Sequence, residues 1–264
     1  RDYKVTGVQT CALPIFYGDA NPAFTVSYTG FKNGENETVL DVAPTASSAA
    51  SLTTAVGTYP ITASGGSDNN YSFSYVDGTL TITRATLTAT AIDQTKIYGA
   101  ANPTLTISYS GFKNGENSSV IDTPPTASTT ASTTSIVGTY PITLAGGLDN
   151  NYIINLVAGT LTVTQATLTA TADDKTRIYG DANPVFTISY SGFLNGDTEA
   201  VLDTPPIATT SADATSPVGT YAIVPSGGID NNYTISYVDG TLTITQAVLT
   251  VTADDKSRIY GDAN

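Results

Sequence analysis

The side chains best suited to chemistry in this chain carry oxygen. Asp173-Asp174, Asp181 with Asn183, and Asp230-Asn231-Asn232 gather carboxylates and amides of the kind that ligate calcium. Ile92 and Ala100 stand 81 residues before Asp173 and Asp181 and remove two of those oxygens, so turn and cap roles are expected instead. Tyrosines recur in columns, at 17/98/179/260, 28/109/190, 59/140/221 and 71/152/233. Such rings can stack on sugars, but Tyr190 and Tyr233 fall on the apolar parity of their segments, which predicts core packing with hydroxyls bonded to backbone. A self-formed Lys–Asn isopeptide link would need a lysine in every copy. Lys32 and Lys113 become Leu194, Lys96 becomes Arg177 and Arg258, and Lys175 and Lys256 face Gln94. Paired carboxylates for glycoside hydrolysis are compatible with the composition. Near-identical copies argue against an active site and for a spacer or a multivalent binder. The expectation is therefore no catalytic, cofactor-binding or metal residue, no cofactor, and ligand-binding residues that stay unassigned.

Composition narrows the classes further. The 264 residues include no His, Met or Trp, which removes the usual general base near neutral pH and the commonest zinc ligand. Ten Lys plus Arg against 23 Asp plus Glu give a net charge of −13, so nucleic acid and anionic membrane surfaces are poor partners. No apolar run is long enough to span a bilayer, and membrane insertion is not expected. The Thr/Ser/Ala run from Thr126 to Ser135 reads as a polar loop or edge rather than a glycosylated tract.

The elements that position these residues repeat in fixed register. Tyr17-Gly18, Tyr98-Gly99, Tyr179-Gly180 and Tyr260-Gly261 are each 81 residues apart. The same offset relates Gly30-Phe31, Gly111-Phe112 and Gly192-Phe193, and likewise Val56-Gly57-Thr58-Tyr59, Val137-Gly138-Thr139-Tyr140 and Val218-Gly219-Thr220-Tyr221. It also relates Asp68-Asn69-Asn70-Tyr71 to Asp149-Asn150-Asn151-Tyr152 and Asp230-Asn231-Asn232-Tyr233. Leu80 and Ile82 occupy even positions, whereas Ala85, Leu87, Ala89 and Ala91 occupy odd ones. That change of parity predicts that the chain leaves one core and enters the next at Arg84, and equally at Gln165 and Gln246. The expected units are 16–84, truncated at its start, then 85–165, 166–246, and the beginning of a fourth at 247–264. One-residue junctions without Gly or Ser favour a stiff, monomeric array.

Within a unit the pattern is all-β. Phe186, Ile188 and Tyr190 alternate with Thr187, Ser189 and Ser191, and Asp77-Gly78 and Asp239-Gly240 between such runs predict hairpins. Ala158-Gly159 predicts a weaker one in the second unit. One short helix is expected over Asn195–Leu202, ahead of Pro205-Pro206. The predicted fold is a tandem array of small antiparallel Ig-like β-sandwiches; β-grasp repeats built around the short helix are the alternative.

The segments "YGDANP", "GFKNGEN", "VGTYPIT", "GGSDNNY" and "VDGTLTIT" resemble the MBG domain of the YGX type, a repeat of bacterial adhesins. The resemblance covers residues 16 to 264, with Ala100 in place of the Asp of the YGD motif and Leu156 in place of a recurrent Tyr. It implies extracellular display at a bacterial cell surface in tandem arrays, with glycans or mucin-like glycoproteins as partners. The functional expectation is a non-enzymatic stalk that projects a binding tip, or alternatively a multivalent glycan-binding module. Val5 to Ile15, "VTGVQTCALPI", has no counterpart in the other copies and resembles a translated sequencing adapter. Residues 1–15 are therefore expected to be a non-native leader, and Cys11 with them.

Overall fold

The computed structural model describes residues 15–261 and 263, together with the backbone of Lys4–Val5. Most of the expected leader, Cys11 included, lies outside the described residues. The chain divides into two compact units. One comprises 1–94, 103–130 and 140–161, and the other 95–102, 131–139 and 162–264.

In the second unit the seven strands of one copy form two sheets. Ala166–Ala172 lies between Ile188–Ser191, antiparallel, and Tyr233–Val238, parallel. The other sheet runs in the order Lys175–Ile178, Gly240–Thr245, Gly219–Ser226, Ile207–Thr210, with the first pair parallel and the rest antiparallel. Alternation of apolar residues with Thr and Ser aims one face of each sheet inward. Ala172 packs there against Ile223, Leu242 and Ile244, with Phe186, Ala208 and Tyr221 at the margin. The all-β sandwich read from the sequence is present, but its sheets are mixed: the first and second strands of the copy pair parallel with the sixth and seventh.

Three readings are corrected by the structure. Asp239-Gly240 does not close a hairpin, because the strands it joins belong to different sheets. The glycine serves close approach instead: a Cβ on Gly240 would lie 2.3 Å from the Ala172 carbonyl oxygen, and one on Gly159 would lie 2.5 Å from that of Ala91. The expected helix is a three-residue 3-10 turn, Glu199–Val201, and Asn195 lies ahead of it with φ +54°. Three residues are too few for a sheet to wrap, and the two sheets pack on each other, which removes the β-grasp alternative.

The first unit holds the same two sheet types. Ala85–Ala91 sits between Tyr152–Val157 and Ile107–Ser110, and Ile15–Phe16, Gly78–Thr83, Gly57–Ser64 and Thr45–Ser47 form a four-stranded sheet. Only Arg84 separates the strand Gly78–Thr83 from Ala85–Ala91, and the parity change there is real: Leu80, Ile82, Ala85 and Leu87 are all buried. The cores are not separate, however. Those four residues belong to one apolar cluster that also contains Tyr17, Ile61, Ile121 and Tyr152.

The first copy is irregular at its start. Lys4↔Ser72 pairs at an offset one residue greater than Ala85↔Tyr152 does. Ile15 takes the place held by Lys96 and Arg177 in the other copies: Asn183 Oδ1 accepts from Arg177 Nε at 2.8 Å, whereas the buried Asn21 Oδ1 has no donor among the described residues. An orphaned buried acceptor is what an apolar residue in a cation's place leaves behind.

Candidate functional site: a shared-carboxylate tyrosine clasp

The tyrosine columns, the acidic loops and the Asp-Asn-Asn-Tyr segments meet at one kind of site, present once in each unit. In the first unit it begins at Asp149, whose Oδ1 accepts from the backbone N–H groups of Asn151 and Tyr152 at 2.7 and 2.9 Å. This Asx turn sets Tyr152 at the head of its strand with its ring buried. The ring meets Phe112 edge-on at 5.8 Å and Tyr17 edge-on at 5.5 Å. Asn114 (φ +54°) and Gly115 (φ +74°) turn the loop so that Glu116 faces both phenols. Tyr17 donates to Glu116 Oε1 at 2.6 Å, Tyr152 donates to Oε2 at 2.5 Å, and the Lys113 N–H donates to the Tyr152 hydroxyl at 2.8 Å. One carboxylate thus holds a tyrosine from the copy before Arg84 and another from the copy after it.

Backbone groups and a charge pair flank the clasp. Asn151 Oδ1 accepts from the Val56 N–H at 3.0 Å, Asn114 Nδ2 donates to the Leu52 carbonyl at 3.1 Å, and Lys113 Nζ sits 2.8 Å from Asp19. The second unit repeats the arrangement with Asp197. Tyr98 and Tyr233 both donate to Asp197 Oδ2, at 2.9 and 2.7 Å, and their rings cross edge-on at 5.4 Å. The Leu194 N–H donates to the Tyr233 hydroxyl at 2.9 Å, Asn232 Oδ1 accepts from the Val137 N–H at 3.0 Å, and Asn195 Nδ2 donates to the Thr133 carbonyl at 3.3 Å.

Electrostatics fix the protonation state of the phenols. Burial, then the bond to Glu116, raises Tyr152 well above the ordinary tyrosine range, and burial pushes Tyr233 up to about 12. The bond to Glu116, ahead of burial, raises Tyr17, and burial raises Tyr98. At neutral pH each phenol is therefore a neutral donor to an acidic acceptor, the stronger kind of hydrogen bond. The arrangement is suited to holding two pieces of chain together.

The other candidates are placed as turn and core residues. Asp230 Oδ1 accepts from the Asn232 and Tyr233 N–H groups, Asp174 Oδ1 from the Thr241 N–H, and Asp173 from Ser189 Oγ at 2.5 Å. Asn183 Nδ2 donates to the Ala212 carbonyl at 2.6 Å. Among the described residues no three acidic side chains converge on a point. Tyr59 and Tyr221 donate to the carbonyls four residues upstream, those of Ala55 and Pro217, each at 2.9 Å. Two features escaped the sequence reading. Glu116 and Asp197 occupy, with Glu35, one acidic column of the repeat. Lys96 and Arg177 are buried cations that donate to carbonyls, Lys96 to those of Ala100 and Ser132 and Arg177 to that of Asp213, and burial lowers Lys96.

The family model of the MBG domain (YGX type) matches residues 12–81, 87–162 and 168–243, three consecutive stretches that together cover most of the chain. The chain belongs to the MBG domain (YGX type) family. Each clasp therefore joins two successive MBG domains, with the Tyr of the Tyr-Gly motif coming from the earlier one. A structure of Drosophila N-cadherin EC1-3 aligns over 94% of this chain and 98% of that one, at 8% identity and a TM-score of 0.23, a likeness too slight to bear on the MBG domains. Comparison with curated proteins returns no match. No helix among the described residues is long and apolar enough to cross a membrane.

Proposed function

We propose that these tandem MBG domains form a non-enzymatic spacer in a secreted bacterial surface adhesin, a stiff stalk that holds a distal binding region away from the cell. The observation that carries this reading is the shared carboxylate. Glu116 and Asp197 each accept from tyrosines of two successive domains, next to a connection one residue long at Arg84 or Gln165. A short connection limits rotation, and a buried bond to each side restrains what rotation is left. The continuous apolar cluster around Tyr17 and Tyr152 adds burial that a hinge would have to expose. Glycan capture gains less support, because Tyr17, Tyr71, Tyr98, Tyr152 and Tyr233, five of the rings that could stack on sugars, are buried, although Tyr179 and Tyr260 of the same columns are exposed.

Small-angle scattering of the 264-residue chain tests the proposal. The expected profile is that of an elongated particle with a narrow distribution of conformers, which broadens when Glu116 and Asp197 are both changed to alanine. A compact particle, or free hinging in the unaltered chain, would count against a stalk.

A further inference from the structure

Each clasp brings two tyrosine rings into contact. Tyr17 meets Tyr152 at a centroid separation of 5.5 Å with an interplanar angle of 82°, and Tyr98 meets Tyr233 at 5.4 Å and 80°. All four rings are buried. In the first pair the hydroxyls lie on the two oxygens of Glu116, and in the second both lie on Oδ2 of Asp197. A shared acceptor, added to so short a ring separation, sets the hydroxyl-bearing ends of the two rings side by side. Carbons ortho to the two hydroxyls then need only a small ring shift to bond, and nearly perpendicular planes suit a twisted pair of directly joined rings.

Composition points the same way. Oxidising equivalents in a protein come to rest first on sulfur, and after it on the electron-rich rings of Trp and Tyr. This chain has 16 tyrosines and no Met, Trp or His, and its one cysteine, Cys11, lies outside the described residues. The phenols are therefore where a one-electron oxidant acts. A neutral phenol gives up its electron readily when a base takes its proton, and Glu116 and Asp197 are such bases, half-buried and so still able to pass protons to water.

We propose that each clasp is a site of oxidative tyrosine cross-linking, where a small one-electron oxidant, with a peroxide as final electron acceptor, joins Tyr17 to Tyr152 and Tyr98 to Tyr233 through carbons ortho to their hydroxyls. In the first clasp each phenol loses one electron to the oxidant and its hydroxyl proton to Glu116, which releases the first proton to water before it takes the second. The two phenoxyl radicals pair their electrons in a new C–C bond. The hydrogen on each bonded carbon then moves as a proton to the neighbouring oxygen, which restores both phenols. With hydrogen peroxide as acceptor, two tyrosines and one peroxide give one dityrosine and two waters. The bond ties residues far apart in sequence and constrains the unfolded chain as a disulfide would, in a chain whose lone cysteine can form none within itself. It rests on the clasp geometry and stands whether or not the array acts as a spacer.

Brief oxidation of the dilute full chain by photo-generated ruthenium(III) tris-bipyridyl with peroxodisulfate, followed by proteolysis and mass spectrometry of the linked peptides, is the test. The expected result is dityrosine fluorescence on the monomeric chain, with Tyr17–Tyr152 and Tyr98–Tyr233 as the main links. Tyr152→Phe, or Tyr17→Phe, should abolish the first link and keep the second; Tyr98→Phe should do the reverse. The same treatment in denaturant should scatter links over the other tyrosines. Absence of dityrosine from the folded chain overturns the proposal. So do links confined to exposed rings such as Tyr75 and Tyr237, or a pattern of links that denaturant leaves unchanged.

Discussion

The two clasps solve one problem with different side chains. In the first, a glutamate spreads its two oxygens between Tyr17 and Tyr152; in the second, the shorter aspartate takes Tyr98 and Tyr233 on a single oxygen. Beside the first lies the Lys113–Asp19 ion pair, and beside the second Leu194 packs over Gly99. What does not change is a buried, edge-on pair of phenols donating to one carboxylate, each time with a backbone N–H donating to the later phenol. The difference teaches that the carboxylate and phenols do the joining, while the flank can be charged, as Lys113 with Asp19 is, or apolar, as Leu194 over Gly99 is.

Alkaline pH should break both clasps at once and is the largest effect expected. The sign follows from the raised folded-state values: the neutral phenols stabilise the fold fully below about pH 10, and that contribution disappears as pH climbs through the folded values. For Tyr233 the loss falls between the ordinary value of 10.0 and about 12, and for Tyr152 it falls higher. Tyrosinate absorbance of the clasp residues should therefore appear together with loss of the β circular dichroism signal. Changing Tyr17 and Tyr152 to Phe should move that midpoint differently from changing Tyr98 and Tyr233. Smooth ionisation of all the tyrosines near pH 10 with the fold intact would show that the phenols are not held as described.

A smaller effect separates docked from undocked copies of the same motif. Gly18, Gly99 and Gly180 share a left-handed backbone, with φ of +81°, +80° and +91°. Alanine at any of them costs about 1 to 2 kcal/mol for conformation alone. A Cβ at Gly18 would fall 2.3 Å from Lys113 Cβ and one at Gly99 would fall 2.7 Å from Leu194 Cβ, whereas at Gly180 it meets nothing among the described residues. Overpacking should add about 1 to 3 kcal/mol at the first two sites only. Chemical denaturation of Gly18→Ala, Gly99→Ala and Gly180→Ala checks this, and equal losses at all three would mean the first two faces are not covered.

Much of this was legible in the sequence. Period-two alternation along Ala85–Ala91 and Phe186–Ser191 identified the strands and their buried faces, because alternation reports directly on which side meets water. Strand partners were not legible. The Asp239-Gly240 dipeptide has the composition of a tight turn, yet its glycine answers to the Ala172 backbone, a neighbour 68 residues away that no local pattern reveals. The clasp was half visible: the parity of Tyr233 placed it in the core, and Asp-Asn-Asn announced a turn. Its pairing with Asp197, and of Tyr98 with the following domain, depends on contacts between copies. A fixed repeat cannot reveal these, since every copy looks alike whether its partner lies within or beyond it.

The smallest predicted effect concerns the flank. Asp19 and Lys113 are 2.8 Å apart but their side chains remain 43% and 37% exposed, so solvent screens most of their attraction. Such a pair contributes about 0.5 kcal/mol at low ionic strength and little in molar salt. Asp19→Ala should therefore lower the melting temperature by about 1 to 2 °C at low salt, for a chain of this size, with no loss at high salt. Leu194→Ala in the second clasp removes half-buried apolar area instead and should cost about 1 kcal/mol at either salt concentration. Hydrogen exchange at the amides of Lys113 and Leu194, each of which donates to a clasp phenol, reports on the two sites separately. Faster exchange at Lys113 in Asp19→Ala only at low salt, and at Leu194 in Leu194→Ala regardless of salt, would establish that the flanks are interchangeable in role and different in physics. Salt sensitivity at both amides would instead place the ionic contribution in the carboxylate–phenol bonds themselves.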